Sequence, residues 1–280
     1  MPKDKSFARE GYLEEDYHYF HLRDTAGQER DFHFHDFDKV VLLLSGHVDY
    51  TVESVTYPLR PWDVLLVKHH TIHKAVIDRS EPYDRVIVYL DRRFFARSAP
   101  GAGLMDCFDW ADKSGQYLLT PDEVQKKALA ETISAYEALI GDTQLGAQLL
   151  RDGCITRLLV HISRLSVSAS QPRGADTASD PKIAQALSYI NENLTGELSV
   201  ETLCEQVYLS RYHFMRLFKA QTGMTVAAYV RQKRLIQAAR LIREGAPAAR
   251  AAAESGFADY SAFHRAFREA FGTSPGKLKE

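Results

Sequence analysis

Residues 214–223 read FMRLFKAQTG and residues 263–272 read FHRAFREAFG, one pattern of the form Phe-x-Arg-x-Phe-[Lys/Arg]-x-x-x-Gly occurring twice, 49 residues apart. In the first copy Phe214, Leu217 and Phe218 fall at i, i+3 and i+4, which is one apolar face of a helix. Tyr212, Met215, Arg216 and Lys219 form a second, cationic face. The second copy repeats both: Phe263, Ala266 and Phe267 on the inner face, Ser261, His264, Arg265 and Arg268 on the outer. Gly223 and Gly272 suit the left-handed position that ends a helix, and Thr225 and Ser274 suit the cap of the next element.

A short candidate helix and a tight turn precede each copy. The first is 200–207, capped by Ser199, with a turn at Tyr208-Leu209-Ser210. The second is 248–255, with Gly256-Phe257-Ala258-Asp259 as its turn, and Ser210 and Asp259 are natural caps. Helix, short turn, helix is the helix-turn-helix pattern. The joining segment from Thr225 to Glu244 contains neither Gly nor Pro. Twenty helical residues span about 30 Å, and successive major-groove openings on one side of B-DNA lie about 34 Å apart. Two copies at this separation let one chain read two segments of one site. An aromatic stripe at helical spacing belongs to the core, so the four phenylalanines are assigned there and only the outer faces are candidates for contact.

Charge agrees with this division. From Lys182 to Glu280 there are 14 Lys and Arg against 9 Asp and Glu, whereas Met1 to Ser166 carries 20 against 26. A basic C-terminal part on an acidic chain points to a polyanion partner, although an excess of this size alone is common.

Residues 182–279 resemble the DNA-binding domain of the AraC/XylS family of bacterial transcription regulators. GFADYSAFHRAFREAFGTSP (256–275) carries the resemblance, with LSRYHFMRLFKAQTGMT (209–225) as the first copy. The resemblance implies that the second helix of each motif enters the major groove of double-stranded promoter DNA. By register, base contacts come from Arg211, Tyr212, Met215 and Arg216 and from Tyr260, Ser261, His264 and Arg265. Lys219 and Arg268 are assigned to phosphate. Arg216 and Arg265 suit guanine, with phosphate as the alternative. After Pro275 the family's usual aromatic-Arg tail is replaced by Gly276-Lys277-Leu278-Lys279.

The N-terminal part has another texture. KVVLLLSG, HVDYTVE, DVLLVK, HKAVI and RVIVYL are short, Val/Ile/Tyr-rich runs separated by turn residues, as in an all-β sandwich or barrel. Thr120-Pro121-Asp122-Glu123 reads as a helix start, and helices are expected over 121–140 and 143–166. Residues 167–181 have linker composition. The expected fold class is α+β: a β-barrel with two following helices, then an all-α domain with two helix-turn-helix motifs joined by a long helix. The expected divisions are a ligand-sensing domain at 1–120, a helical dimerisation element at 121–166, a linker at 167–181 and a DNA-binding domain at 182–280.

His33-Phe34-His35, then DFDKVVLLLSG and YPLRPWDVLLVKHHTIH, resemble the cupin-like sensor domain found in many members of that family. Alternate residues of a strand point the same way, so His33 and His35 can converge inside a barrel, with His73 as a natural third group. Metal cupins carry a glutamate where this chain has Lys39, and a Gly where it has Trp62. A cation at that place opposes a divalent ion, so no metal or cofactor is expected. The alternative is histidines that are merely packed. His33, His35, Phe37, Lys39, Trp62 and His73 are the candidate ligand-binding set for an anionic or polyhydroxylated effector, a carbohydrate among them. His69 and His70 read as loop residues.

Cys107, Cys154 and Cys204 include no C-x-x-C pair, which argues against a structural zinc built on them. The N-terminus has no apolar h-region, and a cytoplasmic chain without a membrane span is expected. No catalytic constellation is recognisable. The reading is a ligand-responsive regulator and not an enzyme, in the main an activator, working as a homodimer on promoter DNA with RNA polymerase as a further partner. Its rivals are a cupin-type metal enzyme with a helical appendage and a constitutive DNA-binding protein.

Overall fold

The computed structural model describes residues 13, 15–24, 32–53, 55–78, 80–168 and 180–278. Eight strands come first: β1 (Tyr17–Asp24), β2 (Asp38–Ser45), β3 (Val48–Val52), β4 (Val55–Leu59), β5 (Val64–Val67), β6 (His73–Ile77), β7 (Tyr83–Leu90) and, after two helices, β8 (Leu118–Leu119). They form two antiparallel sheets, ordered β1-β7-β2-β5-β8 and β4-β3-β6. The expected barrel is therefore not closed among the described residues. Each sheet has the alternation or continuous burial of a face covered by its neighbour, and β2 is buried over most of its length between β7 and β5. Gly46, with φ of 91°, makes the β2–β3 turn; a Cβ there would stand 2.6 Å from the Pro82 carbonyl oxygen.

Helices α1 (Arg92–Ser98) and α2 (Asp106–Ser114) lie between β7 and β8 and had no counterpart in the sequence reading. They are short, and their apolar residues Phe94, Phe95, Cys107 and Phe108 join the sheet core rather than forming a long periodic stripe. Arg92 ties them to the sheet, bonding Asp38 at 2.6 Å and Asp109 at 2.9 Å. Helices α3 (Glu123–Glu137) and α4 (Ala147–Ser168) follow close to the expected spans. Asp122, not Thr120, caps α3 through a reciprocal capping box with Gln125. The Thr120 hydroxyl instead donates to Asp63 at 2.8 Å. Ile155, Leu158, Leu159, Ile162 and Leu165 of α4 pack into the sheet core, as their spacing predicts. The expected linker falls mostly on residues 169–179, outside the described residues.

The C-terminal part is helical: α5 (Pro181–Glu192), α6 (Val200–Val207), α7 (Arg211–Thr222), α8 (Val226–Arg243), α9 (Ala248–Glu254) and α10 (Tyr260–Phe271), then a 3-10 turn at Pro275–Lys277. Ser199, Thr225 and Asp259 cap α6, α8 and α10 through their side chains. Ser210 occupies the cap position of α7 without a side-chain cap bond. Gly223 and Gly272 take left-handed conformations, and Tyr208 does so in the first turn. Phe214, Phe218, Phe263 and Phe267 are all fully buried. Burying one such ring is worth about 1.5–3 kcal/mol, so the repeated inner face alone accounts for much of this core.

Helix α8 is the spacer between the two motifs. Its 18 residues extend about 27 Å. Arg234 fixes both sides to it, donating to the carbonyls of Leu194 (2.8 Å), Gly196 (2.7 Å) and Gly256 (2.8 Å). Gly256 is required there: at φ of 84° an added Cβ would meet Arg234 and the Thr195 backbone at 3.0 Å.

Candidate DNA interface and effector site

The two repeated helices turn their cationic faces to solvent. Arg211, Tyr212, Met215, Arg216 and Lys219 of α7 are exposed, Tyr212 at 80 % of its surface. On α10, Tyr260, Ser261, Arg265 and Arg268 are exposed and His264 is half-buried. An exposed tyrosine and methionine set among arginines are side chains that can contact base edges in a groove. Arg211 is paired with Glu201 of α6.

In the N-terminal part, His33 and His73 form an antiparallel bridge, exchanging backbone hydrogen bonds of 3.0 and 2.9 Å. Strand alternation then places His33 and His35 on one side and Phe34 on the other. The rings of His33, His35 and His73 sit at centroid distances of 4.3 Å (His33–His73), 4.8 Å (His35–His73) and 5.0 Å (His33–His35). All three are buried. Phe37 stacks on His35 at 4.6 Å and meets Tyr89 at 4.2 Å. Lys39 is buried beside them and donates to the Tyr50 hydroxyl at 2.8 Å. Burial, then the Lys39 cation, holds His73 well below the usual imidazole range.

Comparison with known proteins bears on both regions. Residues 17–159 match the family model for an AraC-like ligand binding domain, and residues 203–280 match that for a helix-turn-helix domain. The chain belongs to the AraC family of transcriptional regulators. Its relatives include the HTH-type transcriptional activator RhaR of Pectobacterium atrosepticum, 26 % identical over 89 % of this chain and 85 % of that protein. The multiple antibiotic resistance protein MarA of Salmonella typhimurium is 30 % identical over 35 % of this chain and 77 % of that one. Among solved structures, an apo form of ToxT from Vibrio cholerae is 14 % identical, covering 93 % of this chain and 95 % of that chain, with a TM-score of 0.37. This AraC-family chain is thus a ligand-responsive DNA-binding transcription regulator. Among the described residues no helix is long and apolar enough to cross a membrane.

Of the six effector-site candidates, the structure brings His33, His35, Phe37, Lys39 and His73 together and leaves Trp62 apart. Trp62 occupies the β4–β5 turn at φ of 76°, its amide bonded to the Leu43 carbonyl. Lys39 pairs with Val67 at the opposite end of β5. Leu43 lies four strand steps from Lys39, about 13 Å.

His69 and His70 do lie in the β5–β6 loop, but both are engaged. His69 bonds Asp38 at 2.8 Å. His70 is buried, lies 3.1 Å from Asp36 and 3.0 Å from Arg243, and is pushed down to about 4, by burial first and by its cationic neighbours.

Sequence reasoning missed the groups that join the two parts of the regulator. Glu53, in the β3–β4 turn, accepts hydrogen bonds from the Tyr229 hydroxyl and from Lys233 Nζ at 2.9 Å, both on α8. Asp36 pairs with Arg243 at the far end of α8 at 3.1 Å. Phe34 and Ile72 are buried within the C-terminal core, Phe34 edge-on to Phe271 at 6.0 Å. Two features were visible in the sequence: Glu53 is a charged residue at a turn, and Phe34 interrupts a polar stretch. Neither has a spacing that names its partner.

Proposed function

We propose that this AraC-family regulator senses a small molecule at the His33, His35, Phe37, Lys39 and His73 cluster and passes its occupancy to the spacer helix α8. The carrying observation is the pair of partly buried ionic links, Glu53 to Lys233 and Asp36 to Arg243, which anchor both halves of α8 to Asp36, the residue after His35, and to the β3–β4 turn that bonds Ile72, the residue before His73. An effector that binds one arrangement of these segments better than another shifts the equilibrium between them, and α8 follows. The cluster's donors, three imidazoles and a buried ammonium, favour a compact molecule with hydroxyl or carboxylate oxygens, a sugar or sugar acid among them.

On DNA, α7 and α10 read adjacent stretches of one site. Arg211, Tyr212, Met215, Arg216, Tyr260, Ser261, His264 and Arg265 face base edges, and Lys219 and Arg268 face phosphates. The exposure of these side chains on both helices, with every phenylalanine of the motif turned inward, supports that orientation. Homodimerisation through α3 and α4 is supported by Ile140, Leu145, Leu149 and Leu150, large apolar residues exposed around that hairpin. A dimer presents two such reading units to paired half-sites. In this reading the regulator activates transcription, with RNA polymerase as its partner, in the bacterial cytoplasm. The divisions at 120, 166 and 181 then separate sensor, dimer hairpin, linker and reader.

Selection of bound fragments from random DNA, with and without candidate sugars and sugar acids, tests this reading. An enriched site that spans two adjacent major grooves, and whose recovery depends on a small molecule, supports it. Recovery of sequence-independent fragments would refute it. A specific effector at 100 times its Kd raises stability by about 2.7 kcal/mol, which thermal unfolding detects.

A further inference from the structure

We propose that the hydroxyl of Tyr208, in the turn of the first helix-turn-helix motif, donates a hydrogen bond to a DNA phosphate beside the groove that α7 enters, a contact that the second motif lacks. The inference rests on the reading of α7 as a DNA-reading helix. Among the described residues four that are not glycine have a positive φ: Glu53, Trp62, His70 and Tyr208. There the Cβ crowds the backbone, and a bulky residue persists only where something holds it. Three of the four have such a hold. Glu53 is bonded to Tyr229 and Lys233 of α8, His70 is buried against Asp36 and Arg243, and Trp62 packs on the sheet core. Tyr208 differs. At φ of 53° and ψ of 49° it is 88 % exposed, and its side chain makes no hydrogen bond or ring contact among the described residues.

The turn itself does not call for a tyrosine. In the first motif the Tyr208 and Leu209 amides bond the carbonyls of Glu205 (3.4 Å) and Cys204 (3.1 Å). In the second the Gly256 and Phe257 amides bond those of Ala253 and Ala252, both at 3.0 Å. This is one helix-ending turn used twice, and Gly256 stands where Tyr208 does. Glycine takes this conformation without steric cost. The first motif keeps an exposed aromatic where its sister has the residue that suits the backbone. Strain of this kind collects at functional sites.

The surroundings name the partner. Tyr208-Leu209-Ser210 lead into Arg211, the first residue of α7. The N-terminal residues of a recognition helix contact base edges in the major groove, so the turn ahead of them lies at the groove's edge, beside the phosphates. Tyr212, on the first turn of α7, is exposed as well. Lys182 reaches the same turn, its ammonium donating to the Tyr208 carbonyl oxygen at 3.4 Å. The acids there are Glu201, paired with Arg211, and Glu205 at the end of α6. Lys182 and Arg211 balance these two, so the phosphate is held by a neutral donor and not by an ion pair. A phenol hydroxyl supplies that donor, and a contact of this kind fixes position without reading sequence.

The test uses the full-length chain with Tyr208→Phe and Tyr208→Gly, and a labelled duplex of mixed sequence as the probe. Tyr208→Phe keeps the ring and removes only the hydroxyl. A hydrogen bond to a charged partner corresponds to about a tenfold change in affinity, and a loss of about that size is expected in both variants. The slope of affinity against salt should stay as in the wild type, because no charge is removed. Thermal unfolding of Tyr208→Gly should show a Tm equal to or above that of the wild type, since glycine relieves the turn. Weaker binding by a protein that is no less stable is a result that a structural tyrosine does not give. Wild-type affinity in Tyr208→Phe would overturn the contact, and a lower Tm in Tyr208→Gly would overturn its premise that the fold does not use this side chain. Lys219→Ala separates the two levels. If it weakens binding and Tyr208→Phe does not, the inference fails alone; if neither does, the reading of α7 fails with it. Full DNA affinity with reduced transcription in a reconstituted assay would assign Tyr208 to a protein partner and sink the phosphate contact.

Discussion

The carboxylate of Glu53 sits at a left-handed turn between β3 and β4, where it receives the hydroxyl of Tyr229, a fully buried residue in the first half of α8. Through this contact the sensing part of the regulator holds the helix that sets the distance between its two DNA-reading helices.

Glu53→Gln should weaken the joint. The Lys233 ammonium, bonded to Glu53 at 2.9 Å, would keep its charge in a largely buried place without an anion. A hydrogen bond to a charged group is worth about 1.5–3 kcal/mol, so a loss of about that size is expected in urea unfolding. An unchanged midpoint and slope would show that the contact does not hold α8.

Gly223→Ala and Gly272→Ala form a matched pair. Both glycines end a repeated helix in the left-handed region, at φ of 73° and 67°. Forcing a side chain there costs roughly 1–2 kcal/mol. At Gly272 an added Cβ meets nothing within 4 Å, whereas at Gly223 it would stand 2.4 Å from the Phe32 ring. Gly223→Ala should therefore be the more damaging of the two. Adding Phe32→Ala should abolish the difference, as measured by thermal unfolding.

Arg265→Ala and Lys219→Ala separate reading from positioning. If Arg265 contacts a base, its loss should cost about 1–3 kcal/mol and relax preference at one base pair. Loss of Lys219 should weaken all sequences alike and reduce the salt slope by about one. Binding isotherms on matched and scrambled sites at several salt concentrations measure both. Unchanged affinity in both variants would mean that the cationic faces were assigned wrongly.

His21 should make the protein less stable in mild base. Burial alone would lower its affinity for a proton, but bonds to Asp84 (2.8 Å) and Glu137 (2.6 Å) reverse this and raise it. A raised folded value means that stability is fully present below the ordinary imidazole value of about 6.5 and is lost as pH rises through the raised one. The imidazolium links β1 to β7 and to α3. Urea midpoints should fall between pH 6 and pH 8.5 in the wild type, and by less in His21→Asn.

The repeated helices were legible because everything that defines them is local. A stripe at i, i+3 and i+4, a cap three residues ahead and a glycine behind are all written within one segment, and two copies in register exclude coincidence. The strands β2, β3, β5, β6 and β7 were legible for the same reason, from short β-branched runs between turn residues. The convergence of His33, His35 and His73 followed partly from alternation, since two of them are alternate residues of one segment, which the structure makes an isolated bridge and not a full strand.

Only the tertiary structure decided the rest. Among the described residues, pairing order produced two sheets rather than a closed barrel, and strand direction carried Trp62 to the opposite end of β5 from Lys39. Within the helix start at 120–123, Asp122 caps α3 and the Thr120 hydroxyl goes to Asp63. Above all, Glu53 found Tyr229 and Lys233, residues 176 and 180 positions away. Such a contact has no period and no spacing. It depends on two surfaces meeting, and a carboxylate has the same appearance in a sequence whether it faces water or an ammonium across a buried seam.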